Sequence, residues 1–394
     1  MFARYIRGRA VARGPAFIRP RHGAARLCRP RPAVLCVLAA PVTVLALAVG
    51  VVVGAPPASA STPATCHFLP LTLMNGWQSE QNVYDTGDPS YCVAGDGMVY
   101  LAGSLARTGG GSAEFAVLPL GARPASTSYL NTYTFDGAVG IVRIGTDGAL
   151  SAYSGGAAQF TSLAGISFPS ASRPMLPLTL QNGWQSAQAA WGTGDPSYYV
   201  GGGVVHLAGS LVLPGGCGGC GSPSFTVLPP AARPASEQDM DDVYSFNGAK
   251  AAFTVWPDGS AWANYGDATD FTSLAGLQYP AASAAEQQLT VLNGWGSGAG
   301  TASGIGPSYY NVGGLVCLDG TMHNSGAPNT EFAALPTLLA PTHTLYLIVE
   351  FDYDYPAVLQ IQPDGGMYIW GGPPDFYTSS DVTNLQGICF QQGS

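Results

Sequence analysis

The chain has 394 residues, 10% of them charged and 46% hydrophobic, with 53 glycines and 31 prolines; this balance excludes a disordered polyampholyte or a helical bundle and suits many short strands joined by turns. At roughly 100 to 200 residues per domain there is room for two to four domains. Nine of the fifteen basic residues, all Arg, precede residue 32, and no Asp or Glu occurs before Glu80; without residues 1–60 the rest carries six basic against 24 acidic groups, a formal net of −18, which speaks against a nucleic-acid partner.

The first predicted element is a leader. An Arg-rich stretch, an apolar run from Ala33 to Gly54 and the small-residue triplet Ala58-Ser59-Ala60 read as a secretory signal over residues 1–60. The run is also long enough to span a bilayer, so an uncleaved anchor with its Arg-rich end inside is the competing reading. A secreted or cell-surface location follows from either. Six cysteines remain: Cys66, Cys92, Cys217, Cys220, Cys317 and Cys389. An even number in an oxidising compartment reads as disulfides. The repeats described next favour the set Cys66–Cys92, Cys217–Cys220 and Cys317–Cys389, one staple per copy. Cys217-Gly-Gly-Cys220 could instead be half a zinc site or a redox pair, but no second pair has matching spacing.

The rest of the chain is one pattern written three times, over residues 66–169, 175–280 and 287–391. Asn75-Gly76-Trp77 recurs as Asn182-Gly183-Trp184 and Asn293-Gly294-Trp295, at spacings of 107 and 111. Pro89-Ser90-Tyr91, Pro196-Ser197-Tyr198 and Pro307-Ser308-Tyr309 follow, then Leu118-Pro119, Leu228-Pro229 and Leu335-Pro336, then Asp147-Gly148, Asp258-Gly259 and Asp364-Gly365. Copies one and two also share Leu-Ala-Gly-Ser and Arg-Pro (Arg123-Pro124, Arg233-Pro234), where copy three has Leu318-Asp319-Gly320-Thr321 and Ala340-Pro341. Within a copy, apolar residues alternate over short runs bounded by Gly, Asn, Asp or Pro, and Asp136-Gly137 and Asn247-Gly248 sit where a tight turn needs positive φ. The expected class is all-β: three tandem antiparallel β-barrel or β-sandwich domains.

The order in copy two, Asn182-Gly183-Trp184, Pro196-Ser197-Tyr198, Gly203-Val204-Val205-His206-Leu207-Ala208-Gly209, Leu228-Pro229, Arg233-Pro234, Asp258-Gly259 and Ser273-Leu274-Ala275-Gly276-Leu277, resembles a β-structured domain found at the ends of tailed-phage tail-fibre and baseplate proteins and in some bacterial secreted proteins. The resemblance covers nearly all of residues 69–390. It implies a β fold that assembles around a threefold axis and attaches to cell-surface glycans. A leader, disulfide candidates and three fused copies depart from that pattern. They lead to the expectation of a monomer whose copies pack as a pseudo-trimer.

The candidate binding residues are Trp77, Trp184 and Trp295, with Tyr91, Tyr198 and Tyr309. A ring face suits the apolar face of a pyranose, so all six could be sugar platforms. The competing and favoured reading is a core slot filled identically in each copy. Glu237, Asp239, Asp241 and Asp242 could gather calcium but read better as a solvated loop. Glu350, Asp352 and Asp354 alternate as paired glycosidase carboxylates would, yet the turn beside them favours exposed edge charges. No nucleophile motif and no zinc helix occurs, and His67, His206, His323 and His343 are not at equivalent places. Neither a catalytic site, a metal nor a cofactor is expected. The expected function is non-enzymatic binding or adhesion with a cell-surface glycan as partner; the alternatives are a divergent polysaccharide hydrolase and a purely structural envelope protein.

Overall fold

Asparagine followed by glycine begins each repeat because both residues turn left-handed. Asn75, Asn182 and Asn293 have φ of 56°, 56° and 54°, and the glycines after them 78°, 85° and 82°. Each Asn Nδ2 donates to a backbone carbonyl about forty residues on, at Glu114, Ser224 and Glu331, over 2.8–3.0 Å. The turn thereby drops the following Trp inward. Such locally stopped strands dominate this computed structural model, which describes residues 66–216, 223–264, 267–298, 305–324, 330–351, 355–371 and 382–394. The leader expected over 1–60, Cys217, Cys220, Asp352 and Asp354 lie outside the described residues.

The architecture is all-β and antiparallel. In residues 66–169 one four-stranded sheet runs Leu69–Pro70, Ser90–Val93, Met98–Ala102, Ser167–Pro169. The same order appears in 175–280 as Leu176–Pro177, Ser197–Gly201, Val204–Ala208, Gln278–Pro280, and in 287–391 as Gln287–Gln288, Ser308–Val312, Leu315–Asp319, Cys389–Gln391. A four-stranded meander accompanies it in the first two segments, with Ser128–Tyr133 and Gln238–Tyr244 at its edge, next to a small three-stranded sheet. Single bridges, Thr134 to Thr161 and Ser245 to Thr272, connect the two. In the third segment, pairing of Glu350 with Asn384 and Phe351 with Thr383 merges the corresponding strands into one seven-stranded sheet.

Each segment has its own apolar core, centred on Phe115, Phe225 or Phe332, all three fully buried. Burying one such ring stabilises the fold by about 2–3 kcal/mol. The strand Met98–Ala102 is buried on both faces: Val99 and Leu101 enter the first core, while Met98 and Tyr100 point the other way. There they join Cys92, Val204, Tyr310, Leu315, Cys317 and Cys389, a fourth cluster drawn from all three segments. Two disulfides, Cys66–Cys92 and Cys317–Cys389, lie in it, the second between residues directly paired across strands.

The segments also meet through three glycines with φ near +80°. A Cβ on Gly165 would strike Leu347, one on Gly276 would strike Leu130, and one on Gly387 would strike Met240. The first segment therefore receives a side chain from the third, the second from the first, and the third from the second. All described residues belong to one compact unit, residues 60–394. Among the described residues no helix is long and apolar enough to cross a membrane.

Candidate functional site

Trp77, Trp184 and Trp295 are only 4–5% exposed, each packed edge-on or tilted against the central Phe of its core at 5.9–6.1 Å. The indole N–H of Trp77 donates to Ser112 O and that of Trp184 to Pro223 O. With no ring face open to water, these three tryptophans fill core slots, and the sugar-platform reading of them is corrected. Tyr91 and Tyr198 are half-buried against the first and second cores. Tyr309 is buried in the third, its hydroxyl donating to Gln287 Oε1 at 2.7 Å. Tyr309 thus fills a core position, while Tyr91 and Tyr198 lie partly exposed at the edges of their cores.

A different set of rings does gather, at the seams between segments. At the seam of the third and first segments, Tyr346 lies 6.0 Å from Tyr133, nearly parallel at 23°. Phe160 stands edge-on to Tyr346, and Tyr84 stands edge-on to Phe160 at 4.7 Å. At the seam of the first and second segments the arrangement recurs: Tyr129 stacks on Tyr244 at 5.5 Å and 16°, Phe271 is edge-on to both, and Trp191 is edge-on to Phe271 at 5.3 Å. Counting from the Pro-Ser-Tyr triplets, Trp191 stands where Tyr84 does. The two phenylalanines are buried floors, the tyrosines half-buried, and Trp191 is 40% exposed.

Burial raises the phenol pKa of Tyr133, Tyr244 and Tyr346, keeping all three neutral. The backbone of Gly137 and of Gly248 hydrogen-bonds the hydroxyls of Tyr133 and Tyr244, partly offsetting that rise. Gln360 Nε2 donates to the Tyr346 hydroxyl at 3.2 Å, and its oxygen accepts from the Trp370 indole at 2.7 Å. Trp370 is 45% exposed and stacks on Tyr368, so the first patch continues along its sheet. Tyr129, Tyr133 and Tyr244 line one cavity of about 140 Å³ together with Glu350, and the helical turn at the edge of each patch lines a separate cleft. The helical turn Gln81–Tyr84 lines one of about 240 Å³ with Gln81, and Gln188–Trp191 lines another of about 480 Å³ with Gln188.

The third seam, between the second and third segments, is built otherwise. Where Tyr129 and Tyr346 stand in the others it has Asp239, where Tyr133 and Tyr244 stand it has Glu350, and where the phenylalanines stand it has Val382. Lys250 Nζ is 3.4 Å from Glu350, which is 5% exposed. Thr254 Oγ1 donates to Asp239 within the second segment, and across the seam the Asp239 amide donates to Gln386 Oε1 and its carbonyl accepts from Asn384 Nδ2, so that residue sits within a bonded seam and not in a solvated acidic loop. Beneath them, wholly buried Asp319 accepts from Gln238 Nε2, Gln386 Nε2 and the Gly320 amide. Glu286 shares a hydrogen bond with Asp319, and partial burial together with that carboxylate pushes its pKa up to about 8.

The histidines stay apart: His206 is buried in a sheet, its pKa pushed down to about 4 by burial, and His343 packs on Gly87. Among the described residues no three His, Cys, Asp or Glu converge as metal ligands. Sequence reading missed the seam patches because it searched for identical triplicated residues, whereas Tyr84 and Trp191 match in class and offset only. No protein-family model, no curated protein and no solved structure matches the chain.

Proposed function

We propose that the chain is an exported, non-enzymatic binding or adhesion protein that holds cell-surface glycans on the two aromatic seams. The observation that carries this reading is the duplication. One four-ring arrangement is built twice, from non-identical residues, with half-buried tyrosines and, in the second, an exposed indole at the surface. Rings with an apolar face and a polar rim are what a pyranose requires: one face to stack on and donors around it.

Export is supported by the leader pattern and by two disulfides in the folded part. A monomer with threefold pseudo-symmetry is supported by the cycle of Gly165, Gly276 and Gly387 contacts. The resemblance to phage tail-end domains points the same way. Of the carboxylates considered for a hydrolase, Glu350 is 5% exposed and paired with Lys250 at 3.4 Å. Such a group knits a seam and has no open face for a sugar.

The test is retention of purified residues 61–394 on a glycan array and on insoluble cellulose, chitin, mannan and xylan, with Trp191→Ala and Tyr346→Ala alongside. Retention that both variants weaken is the expected result. Absence of retention on every surface, or retention untouched by both variants, overturns the proposal.

A further inference from the structure

We infer that the chain is bivalent: the seam of the third and first segments and the seam of the first and second each take one neutral oligosaccharide, while the third seam is a closed latch that takes none. This rests on the glycan-binding reading above and adds to it the number of sites and the charge of the ligand.

The two aromatic seams share a ring geometry but differ in the charges around it. Asp136 follows Tyr133 by three residues, and Asp85 is close enough to Tyr346 to raise its pKa. In the second patch those two acids are replaced by Asn247 and Gly192. Arg143 is instead paired directly across the strands from Tyr129, and directly paired residues share a sheet face. Arg143 shares the second patch with Asp267 and Asp270, which flank Phe271, so its charges are mixed, whereas the first patch holds acids alone and would repel an acidic sugar. An uncharged pyranose chain suits both.

The third seam has exchanged stacking surface for hydrogen bonds. Asp239 and Glu350 stand where the stacked tyrosines stand elsewhere, and Lys250 holds Glu350. Asp319 occupies the strand position of Ala102 and Ala208, the small residues that line the two clefts. Gln386 ties that position to the second segment through Glu237 O at 2.9 Å and the Asp239 amide at 2.9 Å. A symmetric homotrimer must repeat whatever it builds at one seam in all three. Fusion into one chain removes that constraint, so one seam can become a structural clasp while two keep the same four-ring arrangement. Two equal sites on one rigid unit give avidity for a polymer that repeats the same sugar.

The experiment is titration calorimetry of residues 61–394 with five probes: cellohexaose, chitohexaose and mannohexaose as neutral ligands, and hexagalacturonate and the fully deacetylated chitosan hexamer as charged ones. The expected result is a neutral hexasaccharide binding at two per chain, with either charged probe at least tenfold weaker. Trp191→Ala, and separately the pair Tyr84→Ala with Tyr346→Ala, each lower the number to one; together they abolish binding. The far-ultraviolet circular dichroism of each variant, unchanged from the wild type, controls for folding. One or three sites in the wild type, or a preference for a charged probe, overturns the inference and leaves glycan binding standing. No heat with any of the five overturns both.

Discussion

Trp184 and Trp191 are seven residues apart and have opposite roles. The first is 4% exposed with its N–H satisfied; the second is 40% exposed at the rim of a seam. Trp184→Ala is expected to lower stability in urea denaturation by about 3–5 kcal/mol, whereas Trp191→Ala costs about 1 kcal/mol or less and instead weakens glycan retention. Composition could not separate them, because burial belongs to the neighbours that a ring finds and not to the ring. The Asn-Gly turn before Trp184 is the legible sign of an inward-dropping side chain. Glu286 makes a second test at this scale. Its folded pKa of about 8 lies above the ordinary carboxyl value, so between those limits the folded state keeps a proton that the unfolded chain has released. Stability from this group is full in acid and is lost as pH rises toward 8. His206, held neutral with a pKa of about 4 against 6.5, acts with the opposite sign and removes stability as pH falls below 6.5. The thermal midpoint is therefore expected to fall between pH 6.5 and 8, and Glu286→Gln to flatten that fall; an unchanged slope in the variant would show that the carboxyl pair does not hold the proton.

Among the elements, the repeated Leu-Ala-Gly-Ser motif has its reason in a backbone crossing. Gly103 and Gly209 have φ of +86° and +89°, and a Cβ on either would overlap the Asp-Pro backbone at Asp88 or Asp195; Gly320 keeps the same conformation against Gly306. Gly209→Ala is expected to cost about 2–3 kcal/mol by urea denaturation, through strain in the left-handed region and the displaced chain. Arg123 and Arg233 also acquire a role: each Nε donates to the carbonyl of Leu118 or Leu228, pinning the Leu-Pro corner above the Asp-Gly turn. In the third segment Ala340 stands in their place, and there the seven-stranded sheet joins the corresponding strands continuously. Turn glycines and alternating strands were readable in the sequence because they answer to φ and to a two-residue period, both local properties. Pairing between the meander and the small sheet was not, since it depends on how far apart the strands come to rest.

At the scale of the whole molecule, the buried cluster around Met98, Tyr100, Tyr310 and the two disulfides ties the three segments together. Cys317–Cys389 closes 72 residues, and replacing both cysteines by Ser is expected to lower stability by about 2–4 kcal/mol, read from the urea midpoint of the otherwise oxidised chain. Residues 66–169 expressed alone would expose Leu130, which the intact chain buries at a seam, together with Met98 and Tyr100. Self-association or loss of cooperative melting is the expected behaviour of that fragment by light scattering and calorimetry; a stable monomer would mean that the seams contribute little.

The sequence by itself determined the all-β class and the recurring landmarks, and it favoured the cysteine pairs Cys66–Cys92 and Cys317–Cys389 that the structure forms, because turns, strand alternation and copy-to-copy offsets are properties of neighbours along the chain. Only the tertiary structure decided that the triplicated tryptophans are core, that Tyr84 and Trp191 join rings from different segments, and that Asp319 is locked in a polar seam. Each of those facts belongs to residues brought together from distant parts of the chain, and such encounters follow from packing, which no local pattern encodes.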